Sequence, residues 1–278
     1  MRIGVRAHDF GTLPAEELAA RIAAKGVACV QLAVNKAVSG MSLKAGDLNP
    51  GLAFGIGEAF RRRGVQIAVL GCYVNPIHPD PETRKNLLAY FKDHLRFARD
   101  FGCGLVGLET GSLNADYSFN PDNSGPKAFS MFVDSIGSLV EEAEKFGTIV
   151  GIEGVTTHVI STPARMREAL DAVGSENLQV IFDPVNLLSM GNHLDQDRVT
   201  EEAFGLFGDR IIVLHAKDFI AGAGKLDTVP AGRGLFNYPH LFKLLLKRKP
   251  GINVLLENAG EDSVDECVRY LKAAARQP

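Results

Sequence analysis

Eight short apolar runs rich in β-branched residues recur along the chain, and they constrain its fold more than any other feature. They occupy residues 2–5, 28–34, 65–74, 105–110, 149–153, 178–183, 211–218 and 252–257. Their first residues fall about 25 to 44 residues apart, which is the spacing of βα units. Continuous apolar runs, rather than alternating ones, are typical of parallel strands that are buried on both faces.

Helical segments lie between these runs, with apolar residues at spacings of three and four. Several end at a glycine that can adopt the left-handed conformation closing a helix, namely Gly26, Gly64, Gly102, Gly147 and Gly174. Eight strands alternating with about eight helices predict an α/β protein that folds as one (β/α)8 barrel, a single domain over residues 1–278. A doubly wound sheet is the rival, but the first strand is not followed by a Gly-x-Gly-x-x-Gly motif. The longest irregular stretches, residues 111–126 and 220–234, are predicted at the barrel mouth.

The charge and composition of the chain exclude some classes of binding partner. The chain carries 30 Lys and Arg against 33 Asp and Glu, so it lacks the basic field that nucleic acid binding requires. No apolar stretch approaches the length of a membrane span or a signal peptide. The 4 cysteines are far apart in sequence and suit buried free thiols in a reducing compartment. We therefore expect a cytoplasmic protein with a small-molecule partner, without nucleic acid or membrane binding.

Metal-compatible side chains terminate four consecutive predicted strands. Glu153 ends the fifth strand, Asp183 ends the sixth, His215 lies in the seventh and Glu257 ends the eighth. Buried carboxylates are costly unless they are paired or coordinated, and a closed barrel would bring these four groups to its carboxyl-terminal mouth. Three carboxylates and one imidazole predict one divalent ion, Mn²⁺ or Mg²⁺, with Co²⁺ and Zn²⁺ as alternatives.

Five short motifs carry a resemblance to a known group of barrels. They are GIEG at Glu153, FDPVN at Asp183, LHAKD at His215, PAGRG at Gly232 and LLEN at Glu257. In order and spacing they resemble the xylose isomerase-like superfamily. Within it they resemble the sugar phosphate isomerases and epimerases, a group with ketose 3-epimerases, hydroxypyruvate isomerases and inosose dehydratases. The resemblance implies a (β/α)8 barrel in which these four strand-end side chains hold one metal ion.

The resemblance also implies a reaction on a small sugar or sugar derivative. One glutamate removes a proton from carbon and the other returns it, through an enediolate that the metal stabilises. Glu153 and Glu257 could flank the substrate from opposite faces as base and acid. A dehydratase uses the same enediolate and expels a β-hydroxyl, so it remains an alternative, as does a non-catalytic sugar-binding barrel. The oligomeric state, including a homo-oligomer, stays open.

Two positions depart from the epimerase pattern. Asn186 stands where ketose 3-epimerases have a histidine that contacts substrate, and His158 stands where a second acidic residue often occurs. Both are predicted to bind substrate. Asn186 also argues against the zinc-dependent endonuclease of this superfamily, which needs additional histidines.

Other side chains near predicted strand ends complete the candidate set. His8 follows the first strand, Lys36 belongs to the second, Glu109 ends the fourth, and Arg233 lies in the glycine-flanked loop after the seventh. We predict substrate contacts for all four, with a Glu109–Lys36 ion pair as the alternative for those two. Lys217 and Asp218 are predicted to support neighbouring groups or to anchor a loop.

Overall fold

In the computed structural model, which describes residues 1–277, eight parallel strands close into a barrel. In chain order the strands are β1 (Arg2–Arg6), β2 (Cys29–Leu32), β3 (Gln66–Gly71), β4 (Leu105–Glu109), β5 (Ile149–Glu153), β6 (Leu178–Phe182), β7 (Ile211–Ala216), β8 (Asp218–Gly222), β9 (Lys225–Val229) and β10 (Asn253–Leu256). The barrel consists of β1 to β7 and β10, which closes it against β1, while β8 and β9 form a separate hairpin. The predicted (β/α)8 barrel is confirmed. The predicted domain range of 1–278 extends to Pro278, which lies outside the described residues.

Helices connect the strands and cover the outside of the barrel. They are α1 (Ala15–Ala24), α2 (Val34–Ala37), α3 (Pro50–Arg61), α4 (Pro81–Phe97), α5 (Pro126–Phe146), α6 (Pro163–Val173), α7 (Gln196–Phe207), α8 (Tyr238–Arg248) and α9 (Val264–Ala274). Asn49, Asp80 and Thr162 begin α3, α4 and α6, and each side chain accepts a hydrogen bond from a first-turn backbone N–H. All five glycines predicted to end helices have φ between 59° and 74°, so that prediction is confirmed.

Two glycines make room inside the barrel, and their positions show which side chains of β4 and β5 point inward. A Cβ atom on Gly107 would lie 2.6 Å from Cδ1 of Ile181, and one on Gly151 would lie 2.9 Å from Cδ1 of Leu105. Gly107 and Gly151 therefore face the packed interior. Since side chains alternate along a strand, Glu109 and Glu153 point inward two residues later, at the carboxyl end of the barrel.

The structure corrects two local predictions. Residues 220–234 were expected to be irregular, but much of this stretch belongs to the antiparallel β8–β9 hairpin. Its turn residues, Ala223 and Gly224, both have positive φ, as the tight turns that suit a two-residue hairpin require. Lys36 does not belong to the second strand, because β2 ends at Leu32 and Lys36 lies in the short helix α2.

Two further predictions concern the state of the cysteines and the presence of membrane-spanning helices. All four cysteines are buried and unbonded, as predicted. None of the helices in residues 1–277 combines the length and apolar character that crossing a membrane requires.

Candidate metal centre

The four predicted metal ligands come together at the carboxyl end of the barrel. They lie at the carboxyl ends of β5, β6, β7 and β10, which are consecutive around the barrel. Glu153 is the last residue of β5 and His215 lies in β7, while Asp183 and Glu257 directly follow β6 and β10. One ligand atom from each side chain lies within 4.8 Å of the other three. All four residues are at most 5% exposed, so the group is shielded from solvent.

The imidazole of His215 points into this group. Its Nδ1 atom lies 3.1 Å from Oε2 of Glu153 and 3.2 Å from Oε1 of Glu257. Its Nε2–H donates to Oε1 of Gln31 at 2.8 Å, and the Gln31 amide donates to the Tyr73 hydroxyl at 2.7 Å. Burial lowers the pKa of His215, but the carboxylates of Glu153 and Glu257 outweigh burial and raise it to about 10.

Two cations that the sequence analysis did not place in the centre contact the same carboxylates. Nζ of Lys217 lies 2.8 Å from Oδ2 of Asp183 and 2.9 Å from Oε2 of Glu257. Nη1 of Arg6, at the end of β1, lies 3.2 Å from Oε1 of Glu257. Burial opposes ionisation of Glu257, but Lys217, His215 and Arg6 hold the pKa of this carboxyl well below its usual range. Lys217 follows His215 by two residues, and this spacing in an extended chain was the signal that could have located it.

Asp218 has the loop-anchoring role that the sequence suggested. Its Oδ1 accepts hydrogen bonds from the backbone N–H groups of Phe219 and Phe236, and its Oδ2 accepts one from Gly232. The loop between the hairpin and α8 is thereby tied to the end of β7. The space is tight, because a Cβ atom on Gly234 would lie 2.3 Å from Oδ1 of Asp218.

The donor set fits a divalent cation. Carboxylate oxygens and one imidazole nitrogen are the ligands of Mg²⁺ and Mn²⁺ sites and also accommodate Co²⁺ and Zn²⁺. Nδ1 of His215 is buried, and it makes no hydrogen bond of good geometry to any group in the described part of the chain. A nitrogen held between two carboxylates in this way is suited to coordinate an ion that both carboxylates also bind.

A family model described as the xylose isomerase-like TIM barrel matches residues 9–274. The chain belongs to the xylose isomerase-like TIM barrel family. The resemblance noted in the sequence is therefore confirmed at the level of the superfamily. No curated protein sequence matches this member of the family.

Solved structures show the same fold at low sequence identity. A D-tagatose 3-epimerase-like protein is 18% identical, with a TM-score of 0.77 over 99% of this chain and 97% of its own. A xylose isomerase-like TIM barrel protein from Mycobacterium smegmatis, in complex with magnesium, is 15% identical, with a TM-score of 0.73 over 99% and 95%. A probable 3-DHS dehydratase of petrobactin synthesis from Bacillus anthracis is 14% identical, with a TM-score of 0.73 over 98% and 99%. At these identities the likeness establishes the fold of this xylose isomerase-like barrel.

Asn186 and Glu109 lie next to Glu153. Nδ2 of Asn186 donates to Oε1 of Glu153 at 2.7 Å. Glu109 ends β4 and is paired in register with Glu153 on β5. Burial, followed by the charges of Glu153 and Glu257, raises the pKa of Glu109 to about 7. The structure therefore brings both predicted substrate-binding residues to the edge of the metal centre.

His158 lies beside Glu109, together with a tyrosine that the sequence analysis missed. The His158 side chain is buried, and its Nδ1 lies 3.8 Å from Oε2 of Glu109. The Tyr117 ring lies 5.5 Å from the His158 ring, and φ of Tyr117 is 64°, which is unusual for a residue other than glycine. Neither the Tyr117 hydroxyl nor Nδ1 of His158 forms a hydrogen bond within residues 1–277. No sequence signal marks Tyr117, because its position depends on the conformation of a long loop.

His8 and Lys36 lie on the other side of the mouth and share Tyr73. The His8 ring meets the Tyr73 ring edge-on at 5.9 Å, and Nζ of Lys36 lies 3.8 Å from the Tyr73 centroid. Burial, with the charges of Arg6 and Lys36, lowers the pKa of His8 to about 4. Burial lowers the pKa of Lys36, and the charge of Glu109 opposes this shift, so the two side chains attract each other. No direct salt bridge joins them in residues 1–277, and the predicted Glu109–Lys36 pair stays a prediction.

Arg233 is not part of the buried group. Its guanidinium is at the surface and pairs with Glu266 of α9 at 2.5 Å. The loop prediction placed Arg233 near the mouth, but the ion pair directs its side chain toward the helix. A role in substrate binding would require this pair to open.

Proposed function

We propose that this protein is a divalent-metal-dependent isomerase or epimerase of a small sugar or sugar derivative. One observation carries the proposal: four buried ligand atoms from four adjacent strand ends lie within 4.8 Å of one another. Mn²⁺ or Mg²⁺ suits this oxygen-rich set best. Membership in the xylose isomerase-like family and the structural likeness to a D-tagatose 3-epimerase-like protein support the same class of chemistry.

The positions of the two glutamates in the centre support the proton-transfer part of the proposal. The ion supplies Lewis-acid stabilisation of the negative charge that develops when a carbon-bound proton leaves. Glu153 and Glu257 stand three strands apart around the barrel and approach His215 from different sides. We assign removal of the proton to one of them and its return to the other. Asn186 orients Glu153 through its bond to Oε1, which leaves Oε2 directed at the centre.

The remaining candidates provide hydrogen-bonding groups for a polyol. Glu109 ends β4 and His158 follows β5, and the charge of Glu153 acts on the pKa of both. His8 follows β1 and Lys36 follows β2, and the charge of Glu257 acts on the pKa of both. Buried polar atoms without partners, such as Nδ1 of His158 and Nδ1 of His8, are costly unless a ligand satisfies them. We assign these four residues, with Asn186, to the binding of substrate hydroxyl groups.

A dehydratase is the second candidate, and one observation favours it. In the metal-free protein, burial and the charges of Glu153 and Glu257 raise the pKa of Glu109 to about 7, so at neutral pH a large fraction of this carboxyl carries a proton in that state. A carboxylic acid with such a pKa can protonate a departing hydroxyl group. One structural neighbour is a probable dehydratase, so the fold accommodates this reaction class.

Solvent exchange distinguishes the candidates. The Mn²⁺-loaded protein is incubated in D₂O with ketoses, their phosphates and keto-inositols, and the sugars are examined by mass spectrometry. We expect one deuteron to enter a carbon next to the carbonyl. Loss of water would identify a dehydratase instead. If no compound exchanges or loses water while the protein binds Mn²⁺, the non-catalytic sugar-binding barrel replaces both proposals. Asp183→Ala is the matched control, since it removes one ligand and should abolish exchange.

A further inference from the structure

We propose that Lys217 is a built-in counter-cation of the metal centre: it holds ligands from two strands together and weakens their affinity for a divalent ion. The proposal rests on the proposed metal site. It adds that the site carries an internal competitor for the ion.

The position of Lys217 is the first support. Its ammonium lies 2.8 Å from Oδ2 of Asp183 and 2.9 Å from Oε2 of Glu257, and the residue is buried. These two carboxylates follow β6 and β10, which are separated by β7, the strand that Lys217 itself follows. The ammonium therefore bridges two ligands whose strands do not pair with each other. The Tyr238 hydroxyl donates to the backbone carbonyl of Lys217 at 2.7 Å and fixes the backbone at this point.

The charge balance is the second support. Glu153, Asp183 and Glu257 place three carboxylates within a few ångström in a buried region, where like charges repel strongly. Lys217 contacts two of the three. Arg6 contacts only Glu257 and shares its guanidinium with Asp9 and Asn258. His215 contacts Glu153 and Glu257 but is itself a proposed ligand of the ion. Among the cations that are not proposed ligands, Lys217 is thus the one best placed to offset the repulsion between carboxylates of different strands.

The same geometry sets a cost for binding a divalent ion. An ion that coordinates Asp183 and Glu257 lies a few ångström from the ammonium that contacts both, and two cations at such a distance in a poorly screened site repel each other. Removing the charge of Lys217 should therefore strengthen ion binding. It should also destabilise the protein without metal, because the carboxylates then lose their bridging cation.

The test compares neutral replacements of Lys217 with a neutral replacement elsewhere. Lys217→Met keeps the length and removes the charge, and Lys217→Gln is a polar replacement in case the first variant folds poorly. Lys225→Met, which removes an exposed lysine of β9 paired with Asp227, controls for the change in net charge. The dissociation constant for Mn²⁺ is measured by competition with a chelator, and the melting temperature of each metal-free protein by calorimetry.

We expect Lys217→Met and Lys217→Gln to bind Mn²⁺ at least tenfold more tightly than wild type and to melt at a lower temperature without metal. Lys225→Met should match wild type in both measurements. Unchanged or weaker binding in both Lys217 variants overturns the proposal while the metal site stands. If a variant is unfolded without metal, it is prepared with Mn²⁺, and release into excess chelator should be slower than in wild type; equal or faster release also overturns the proposal.

Failure of the metal site itself gives a different result. Wild type would then bind none of Mn²⁺, Mg²⁺, Co²⁺ and Zn²⁺. A Lys217 variant that gains Mn²⁺ binding in that case still supports the competitor role, and one that gains none contradicts both proposals.

Discussion

Gln31 on β2 accepts a hydrogen bond from Nε2 of His215 on β7, with 2.8 Å between the two atoms. Since the amide oxygen is only an acceptor, the Nε2 atom keeps a proton. Nδ1 is then the nitrogen that faces Glu153 and Glu257. Gln31 thereby orients the imidazole from three strands away around the barrel. Partners of this kind fix the tautomer and ring position of metal-binding histidines.

We expect Gln31→Met to weaken Mn²⁺ binding by about 10- to 100-fold, the loss typical of removing the partner of a metal-binding histidine. Tyr73→Phe removes only the hydroxyl that Gln31 contacts and should cost less. Titration calorimetry with Mn²⁺ measures both. Wild-type affinity in Gln31→Met would show that His215 needs no such support.

Removing a proposed ligand should release the metal without unfolding the barrel. Asp183→Ala and His215→Ala change side chains at the mouth of the barrel and leave the backbone pairing of the strands unchanged, so we expect native circular dichroism and no stoichiometric metal by elemental analysis. Asp209→Ala, at the opposite end of the barrel before β7, is the control and should retain the ion. Stoichiometric metal in both mouth variants would contradict the ligand assignment.

The two glutamates are proposed to move protons as well as to bind the ion. Glutamine keeps the size and one oxygen but is not a base. We therefore expect Glu153→Gln and Glu257→Gln, saturated with metal, to lose more activity than the roughly 10²- to 10⁴-fold typical of one general acid or base. Turnover is measured on the substrate identified by solvent exchange. Near-normal turnover would refute the two-glutamate mechanism and make His158 the next candidate base.

Glu109 should make the stability of the metal-free protein depend on pH. Its pKa is about 7 in the folded protein against about 4.5 when exposed, so the folded state binds the proton more tightly. The contribution of Glu109 to stability then falls as the pH rises from about 4.5 through 7. Glu109→Gln should raise the melting temperature relative to wild type by a few degrees more at pH 8 than at pH 5. An equal difference at both pH values in calorimetry would contradict the raised pKa.

His158 and Arg233 allow a comparison of a buried and an exposed candidate. His158→Ala should retain the metal and raise KM by roughly tenfold or more, as expected when a hydrogen bond to substrate is lost in a buried site. Arg233→Ala removes an exposed ion pair, which is worth little, and should leave KM within about twofold. A larger effect at Arg233 would show that its pair with Glu266 opens to admit substrate.

The proposed ligands were predictable from the sequence because a strand end is a well-defined place. An apolar run that stops at Glu153, Asp183 or Glu257 fixes the side chain at the carboxyl end of a strand, and closure of the barrel brings such ends together. His215 follows from the same reasoning. The fold and the four-residue group therefore needed only the periodicity of the chain and the geometry of a closed sheet.

The tertiary structure decided the positions of long side chains and of loops. Lys217 and Arg6 have long, flexible side chains, and their charged ends lie beside the buried carboxylates that attract them. Arg233, from a loop with the same freedom, pairs with Glu266 at the surface instead. The left-handed conformation of Tyr117 and the contact of Gln31 with His215 likewise depend on neighbours distant in sequence. Strand periodicity determines which residues reach the mouth, whereas the balance of buried charge and packing determines what each of them contacts there.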